Sequence, residues 1–405
     1  MHDLSKRLTA LAVTGAVLLS GCNRTATSDS SSASAERKLV KLSIWCSDEE
    51  QDIVVRLCES YARAHPEKKF AFTLGGMSDS EAVAQVIADK KQAADIFCFS
   101  SDDLDELISV GALLEITDRA SAVQSSTTDS VQAAESSGKL YGLPFSADTP
   151  ILYYDRSKLN EKDITSLDTI LDKTISDTEI TLAMDIYNGR QQSGFFSGAG
   201  CDLFGNSCSF NGENGLVAGE YLLEMVRNEN LAPHYDEVSI KAGFAHGRIA
   251  AGIAGLEIAD EIKSSLGNRF GAAALPNFTL PDGRTAQLGG AAEYRIAGVS
   301  ALTSAKDDAL EFARLLTGKD AQLQRLEKLG MMPVSKVLVT DSEILKEHPE
   351  LKALTEQLKY SSQPLYKGFM KCAGDFAEEL INGKITHNNL RERLNRFAEL
   401  SIVNG

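Results

Sequence analysis

The segment that begins at residue 38 alternates between two kinds of hydrophobic pattern. Residues 38–45 place apolar and polar side chains in turn along a β-branched run, which predicts a strand. Ile53, Leu57 and Tyr61 then follow one helical turn apart and predict an amphipathic helix that ends at His65-Pro66. The same alternation recurs in two further strands and two further helices, at residues 70–76, 94–99, 80–91 and 104–111. This order predicts a parallel sheet covered by helices on both faces.

A second block of strands and helices extends from about Ile151 to Leu275, and the chain from Asp307 onward has mostly helical spacing. The two blocks are too long for one hydrophobic core, so the sequence predicts an α/β protein with two domains. In sheets of this class, ligands bind beyond the carboxyl ends of the strands. For the first domain, this rule indicates the strand ends at residues 45–49, 75–79 and 99–102.

Residues 1–22 have the composition of an export signal. Lys6 and Arg7 precede the mostly apolar run from Leu8 to Leu19. The order Leu-Ser-Gly-Cys then ends at Cys22 and resembles a lipobox, in which that cysteine receives a diacylglycerol and becomes the first residue of the mature protein. The alternative is an ordinary signal peptide that contains a cysteine, which this residue order disfavours. We therefore expect an extracytoplasmic protein that is lipid-anchored to the cell membrane, on the outer face of a Gram-positive cell.

The residues after the lipobox contain no bulky apolar side chain as far as Glu36, and they predict a Ser-rich flexible tether over residues 23–38. No later stretch is apolar over the length needed to cross a bilayer. The formal net charge of −16 argues against nucleic acid as a partner, because phosphate binding needs clustered Lys and Arg.

Cysteine spacing and short motifs argue against most kinds of catalytic site. Cys201 and Cys208 bracket a Gly-bearing loop and are the best candidates for a disulfide, whereas Cys46 and Cys98 are expected to pack as small buried hydrophobes. No cysteine pair has the spacing of a zinc or redox site, so neither a metal nor a cofactor is expected. The motifs of zinc peptidases, P-loop enzymes and serine hydrolases are missing, and no catalytic residue is predicted. Paired carboxylates of the glycosidase kind stay open.

Six segments occur in an order that is typical of a known family: KLSIW, ADIFCFSSDDLDELISVGALLEITD, SGKLYGLPFSADTPILYYDRSKL, AGFAHGRIAAGIAG, FGAAALPNF and LEFARLLTGKDAQLQRLEKLGMMPV. They resemble the extracellular solute-binding proteins of ABC importers, family 1, most closely the maltose-binding type. The resemblance implies a periplasmic-binding-protein type II fold, with two α/β lobes, a hinge of crossing strands and an interlobe ligand cleft. It implies an N-terminal lobe of residues 39–147 and about 292–337, and a C-terminal lobe of residues 148–291 and about 338–405.

The same resemblance implies a function without chemistry. A monomeric lipoprotein would capture a carbohydrate, either a monosaccharide or a short oligosaccharide, and deliver it to the transmembrane subunits of an ABC permease. The open alternatives are a cationic, polyamine-like solute or a peptide. A secreted enzyme that acts on glycosides is less favoured.

The resemblance also implies a set of ligand-binding residues: Trp45, Ser47, Asp48, Glu49, Phe99, Asp102, Asp148, Tyr187, Asn188, Arg190, Glu257, Glu293 and Met370. Aromatic faces suit the C–H surfaces of sugars, and planar polar groups suit their hydroxyls. Glu257 and Met370 stand where the maltose-binding relatives carry stacking tryptophans, which favours a smaller or more polar ligand.

Several of these residues also have a purely structural interpretation. Trp45 could belong to the core, and Asp48 and Glu49 could compensate a helix dipole. Asp148 could be a turn residue before Pro150. The segment from Tyr187 to Arg190 could be a plain surface loop, and Glu293 could belong to a salt-bridged strand edge.

Overall fold

The structure is a computed structural model that describes residues 8–11, 37–176, 180–204, 208–362 and 364–404. Cys22 and most of the predicted signal and tether lie outside these residues, so lipidation stays a prediction. None of the helices in the described ranges is long and apolar enough to span a membrane.

The chain divides into two compact units. The first unit comprises Met1–Ala122, Ala134–Pro144 and Ile296–Ala321, and the second comprises Val123–Ala133, Phe145–Arg295 and Gln322–Gly405. The divisions after Pro144 and Arg295 fall within a few residues of the predicted lobe boundaries. The last division, after Ala321, falls earlier in the chain than the predicted position near residue 337.

The elements are numbered along the chain. Up to residue 148 they are β1 (Leu8–Leu11), β2 (Leu39–Cys46), α1 (Gln51–Ala64), β3 (Lys69–Gly76), α2 (Asp79–Ala88), β4 (Ile96–Ser100), α3 (Leu104–Ser109), α4 (Arg119–Ser125), α5 (Thr128–Ala133), β5 (Glu135–Ser136), β6 (Lys139–Leu140) and β7 (Leu143–Asp148). The middle of the chain forms β8 (Ile151–Asp155), α6 (Leu167–Leu171), β9 (Ile180–Ala183), α7 (Gly189–Gly198), α8 (Glu213–Met225), β10 (Leu231–Ala232), α9 (Glu237–Ala245), β11 (Ile249–Ala254), α10 (Ala259–Leu266), β12 (Phe270–Ala273), β13 (Asn277–Thr279), β14 (Thr285–Gln287), β15 (Gly290–Ala291) and β16 (Glu293–Val299). The remainder forms α11 (Lys306–Leu316), α12 (Lys319–Leu329), α13 (Lys336–Val339), α14 (Ser342–Glu347), α15 (Pro349–Gln357), β17 (Ser361–Ser362), α16 (Lys367–Ile381) and α17 (Leu390–Asn404).

The larger sheet has the strand order β1-β3-β2-β4-β16-β7. Its strands β2, β3 and β4 pair in parallel, as their alternation with helices predicts. The apolar stripe of α1 packs Ile53, Leu57 and Tyr61 inward, which confirms the predicted helix face. Phe70 and Phe72 stack at 5.6 Å between ring centroids and add to the same core. The first unit is therefore built as the pattern of apolar positions indicates.

The second unit contains a mixed sheet of order β10-β9-β11-β8-β12. Strand β9 runs parallel to β10 and β11, whereas β8 runs antiparallel to β11 and β12. Every residue of β11 is buried, and its small side chains allow close packing: a Cβ at Gly252 would lie 2.9 Å from Ile240 of α9. Helix α9 therefore packs directly over β11.

The predicted disulfide between Cys201 and Cys208 is wrong, because both residues are free thiols. Asp202 and Ser209 pair across an antiparallel bridge through two backbone hydrogen bonds of 3.2 and 2.7 Å. This register makes the two cysteines diagonal neighbours rather than directly opposed residues. Diagonal residues are roughly 7–8 Å apart, with their Cβ atoms somewhat closer, whereas a disulfide needs Cβ atoms roughly 4 Å apart.

Candidate functional site

Strand topology brings four separate chain segments to one edge of the second unit's sheet. Strands β9 and β11 are parallel, so the residues that follow them, from Met184 and from Gly255, emerge at the same edge. Strand β8 is antiparallel to β11, with Ile151 opposite Ala254, so its amino end lies at that edge too. Asp148-Thr149-Pro150, just before β8, is therefore placed beside Gly255 and Glu257. The amino end of α9 completes the edge, because this helix packs on β11.

These segments enclose a cavity of about 440 Å³ that lies wholly within the second unit. It is lined by Asp148, Thr149, Pro150, Asp185, Asn188, Arg190, Gln191, Tyr235, Asp236, Glu237, Val238, Ile240, Gly255, Glu257 and Glu293. Five predicted ligand-binding residues, far apart in sequence, meet here: Asp148, Asn188, Arg190, Glu257 and Glu293.

The lining is strongly acidic. It holds six carboxyl groups, on Asp148, Asp185, Asp236, Glu237, Glu257 and Glu293. Arg190 is the one basic residue among the described lining residues, and its Nη2 lies 2.8 Å from Glu293 Oε2. Most of the carboxyl groups therefore have no cation from the lining close to them.

Asp148 lies at the end of β7 and is fixed by one backbone hydrogen bond. Its Oδ1 accepts from the Leu256 N–H at 3.2 Å. Burial raises the pKa of Asp148 to about 6, and the negative charges of Glu293 and Glu257 raise it further, against the Leu256 hydrogen bond and the Arg190 charge. Its outer oxygen, Oδ2, lies 2.8 Å from the point that a Cβ on Gly255 would occupy. A glycine is therefore needed at position 255 for this carboxyl group to sit where it does.

Glu237 and Glu257 form a pair of hydrogen-bonded carboxyl groups. Glu237 is the first residue of α9, after the capping residue Asp236, whose Oδ1 accepts from Ser239 N–H at 2.8 Å. Burial raises the pKa of Glu237 to about 8, and the hydrogen bond and charge of Glu257, together with the charge of Asp148, act in the same direction. Two carboxyl groups that hydrogen-bond to each other share a proton, so Glu237 is predominantly protonated at neutral pH.

Amide side chains form another wall of the cavity. Asn188 caps α7, with its Oδ1 accepting from Arg190 N–H at 2.9 Å. Gln191 accepts from Asp185 N–H at 3.1 Å and donates to the Ile253 carbonyl at 3.3 Å. These bonds fix the planes of both amides. Planar groups in fixed orientations can discriminate between the hydroxyl positions of a polar ligand.

Two predicted residues of the second unit lie outside the lining. The Tyr187 ring packs on His234, with centroids 4.2 Å apart, and the His234 Nδ1 lies 3.3 Å from Asp185 Oδ1. Met370 on α16 packs against the core of the second unit, with its Cα 3.0 Å from the position of a Cβ at Gly189. Both residues support α7 and the turn before it from outside the cavity.

The first unit buries both of the aromatic residues that were predicted to touch the ligand. Phe99 was predicted as a ligand-binding residue, but its side chain is 0% exposed, and a Cβ at Gly298 would lie 2.7 Å from its Cε1. The ring occupies the space that this glycine leaves and packs near Phe97, at 6.0 Å between centroids. Trp45 is 6% exposed, and its Cδ1 lies 2.6 Å from the Cβ position of Gly75, which favours the core interpretation.

The polar residues predicted in the first unit lie at strand ends, as the strand-end rule requires. Ser47 Oγ donates to Glu50 Oε2 at 3.2 Å, and Asp48 Oδ1 accepts from Gln51 Nε2 at 2.9 Å just after β2. Glu49 is exposed in the same turn. The Asp102 N–H donates to Ser100 Oγ at 3.3 Å just after β4. Their contact with a ligand stays a prediction.

Several lining residues were missed at the level of sequence, namely Asp185, Gln191, Tyr235, Asp236 and Glu237. Asp185 could have been found, because it directly follows the apolar run of β9. Asp236 and Glu237 resemble the acids that commonly begin a helix, and only the packing of α9 on β11 gives them another role. In the described ranges, no group of three or more His, Cys, Asp or Glu residues could hold a metal ion.

Comparisons with known proteins show which proteins this chain is similar to. The model of a family described as bacterial extracellular solute-binding protein matches residues 57–353. A galactooligosaccharide-binding protein of Bacillus subtilis (strain 168) is 27% identical over 288 residues, which span 66% of this chain and 66% of that protein, just under two thirds of its length.

Solved structures give the same picture of the fold. One described as being with acarbose is 26% identical, with a TM-score of 0.80 over 90% of this chain and 99% of that chain. A maltodextrin-binding protein from L. casei BL23, solved without ligand, is 20% identical, with a TM-score of 0.80 over the same shares of the two chains, 90% and 99%.

Proposed function

This chain belongs to the bacterial extracellular solute-binding protein family, and we propose that it captures a carbohydrate in the cavity of its second unit. The predicted fold class, α/β of the type II periplasmic-binding-protein kind, is confirmed by the likeness to the two solved structures described above, one with acarbose and one of a maltodextrin-binding protein. Two of the relatives named above are described as a galactooligosaccharide-binding protein and a maltodextrin-binding protein, and a carbohydrate is accordingly the ligand class that we propose for this chain.

One observation carries the proposal: a cavity of about 440 Å³ whose walls are amide and carboxyl groups held in fixed orientations. A volume of this size is within the usual range for small-molecule sites. Hydroxyl-rich ligands need many acceptors and donors at set angles, and the lining supplies them from Asn188, Gln191 and the carboxyl groups. We propose a monosaccharide or a short oligosaccharide as the ligand.

The protein acts, in this proposal, as a monomer and without catalysis. It hands its ligand to the transmembrane subunits of an ABC permease in the membrane that holds its own lipid anchor. Cys22 and the Ser-rich segment after it would tether the binding units close to that permease. A short flexible tether raises the effective concentration of a tethered partner to roughly the millimolar range.

Thermal unfolding with a panel of saccharides tests the proposal. A ligand at 100 times its dissociation constant stabilises the folded protein by about 2.7 kcal/mol, which gives a clear rise in melting temperature. We expect that rise with at least one galacto- or gluco-configured sugar. A rise with only spermidine or only peptides would contradict the carbohydrate proposal. The same incubations should release no reducing sugar, because sugar release would indicate a glycoside-acting enzyme.

A further inference from the structure

We propose that the ligand of this cavity is a carbohydrate bearing a protonated amino group, and that Asp148, Glu237 and Glu257 hold that group. The inference rests on the proposed carbohydrate-binding function and narrows its ligand class. Three observations support it: the excess of carboxyl groups over basic groups in the lining, the Asp148 oxygen that accepts no hydrogen bond from the described residues, and the amide side chains of the cavity wall.

The cavity has more acidic than basic groups in its lining. The described lining carries six carboxyl groups and one guanidinium, and that guanidinium is 2.8 Å from Glu293. A neutral sugar offers hydroxyl donors to the remaining carboxyl groups but brings no positive charge to replace their lost hydration in full, which costs free energy. An ammonium group replaces it, because three N–H donors and a positive charge arrive together.

Asp148 supplies the second, independent observation. Its side chain is half-buried in the lining of the cavity, and its Oδ1 accepts a hydrogen bond from Leu256 N–H. Its Oδ2 accepts no hydrogen bond from the described residues. That oxygen lies 2.8 Å from the Cβ position of Gly255, and Glu237 Oε1 lies 3.4 Å from the same position. Two acceptors thus converge beside a glycine, where a donor from the ligand can reach both.

The Glu237–Glu257 pair favours an organic ammonium over a bare metal ion. Carboxylates that ligate a metal are ionised and turned toward it, whereas these two carboxyl groups hydrogen-bond to each other. Glu237 faces Glu257, Asp148 and the Gly255 N–H, and the same cavity holds Asp185, Asp236, Glu293 and Arg190. An incoming ammonium lets Glu237 release its proton, so binding of the amine form releases a proton to solvent.

The amide wall favours a sugar over a polyamine. Asn188 Nδ2 donates no hydrogen bond to the described residues, while its Oδ1 is fixed by the cap of α7. This free donor suits a hydroxyl or ring oxygen, which a polyamine lacks. Val238 at the rim is 68% exposed and offers an apolar contact to the C–H face of a ring.

Isothermal titration of the purified chain with matched ligands tests the inference. The first set is the β-1,4 disaccharide of glucosamine, its N-acetylated form and cellobiose. The second set is galactosamine, N-acetylgalactosamine and galactose. Spermidine completes the panel. At a slightly acidic pH, at which the sugar amine is protonated, we expect the amine form of one set to bind at least about tenfold more tightly than its neutral partners.

The outcomes separate the two proposals. Neutral forms that bind as tightly as the amine forms would overturn the inference and leave carbohydrate binding intact. Binding of spermidine alone, or of no saccharide, would overturn both. Titrations in two buffers of different ionisation enthalpy should also show proton release with the amine form only.

Variants show whether the named carboxyl groups are responsible. In Asp148→Asn and in Glu257→Gln, we expect the ratio of amine to neutral affinity to fall by about tenfold. Glu257 is exposed at the rim, so its variant should fold even where Asp148→Asn does not. Glu213→Gln is the matched control, because this exposed residue pairs with Arg391 away from the cavity. An unchanged ratio in a folded Glu257→Gln variant would contradict the assignment of that residue, and unchanged ratios in both variants would overturn the inference.

Discussion

The two units use glycine at their strand ends in opposite ways. In the first unit, Gly75 and Gly298 leave space that aromatic rings of the same unit fill, so Trp45 and Phe99 are buried. In the second unit, Gly255 leaves space on which the carboxyl oxygens of Asp148 and Glu237 converge, and the cavity stays open. The strand-end rule therefore locates the edge of a sheet where function can arise. Whether that edge is a core or a binding site depends on what fills the space beside each glycine.

Among the variants considered, Phe99→Ala should cause the largest loss of folding stability. A fully buried phenylalanine beside Gly298 contributes to the core of the first unit, and its removal should lower the free energy of unfolding by about 3–5 kcal/mol. Urea unfolding measures this change. A decrease in the free energy of unfolding of less than about 1 kcal/mol would mean that the ring is not part of the core. The two units would then not differ in the way described above.

Gly255→Ala should separate binding from stability. The backbone at Gly255 has φ −69° and ψ 177°, which alanine adopts readily, but the new methyl group would lie 2.8 Å from Asp148 Oδ2. We expect the affinity for the saccharide that binds best to fall about tenfold to a hundredfold. Gly212→Ala is the control, since nothing lies within 4 Å of its Cβ position. Equal affinities of the two variants would argue against a ligand beside Gly255.

The acidic cavity should make stability depend on pH. The pKa of Glu237 is raised to about 8 from its ordinary 4.5, and that of Asp148 to about 6 from 3.8. A raised pKa favours the protonated folded state, so this contribution is complete below the ordinary values and is lost as pH rises through about 6 and then about 8.

Glu237→Gln should remove much of that pH dependence. Urea unfolding at several values between pH 5 and pH 9 should show the variant gaining stability relative to the wild type as the pH increases. Glu213→Gln, on the exposed surface, should follow the wild type throughout. A constant difference between wild type and Glu237→Gln would show that this carboxyl group is not held in its protonated form.

The smallest effect concerns thiol reactivity. Cys46, Cys58 and Cys98 are buried in the first unit, whereas Cys201 and Cys208 are only half-buried in the second. Burial raises the pKa of Cys201 and Cys208 to about 12, so both should react slowly with alkylating reagents but before the first-unit thiols. Mass spectrometry after timed alkylation gives the order. A Cys201–Cys208 linked peptide from unreduced protein would restore the rejected disulfide.

Much of the architecture could be predicted from the sequence, because it depends on local periodicity. The parallel strands β2, β3 and β4 and the buried face of α1 follow from apolar spacing alone. The resemblance to the family also predicted Asp148, Arg190 and Glu257 as ligand-binding residues. In the structure all three line one cavity, although they are distant in sequence.

The misses share one cause, which is packing between distant segments. The Phe99 ring is buried in the space beside Gly298. Glu237 lines the cavity because α9 packs over Gly252. Tyr187 is turned onto His234 rather than toward the cavity. No local pattern encodes these three contacts, so the residue type at a strand end could not reveal the direction of its side chain.

Hydrogen–deuterium exchange with the tightest-binding saccharide of the panel tests whether the ligand occupies the cavity of the second unit. We expect slower exchange in the presence of ligand at residues 185–191, 236–240 and 255–257, the segments that line this cavity. Saturating ligand that leaves exchange in all three segments unchanged would contradict the placement of the carbohydrate site in this cavity.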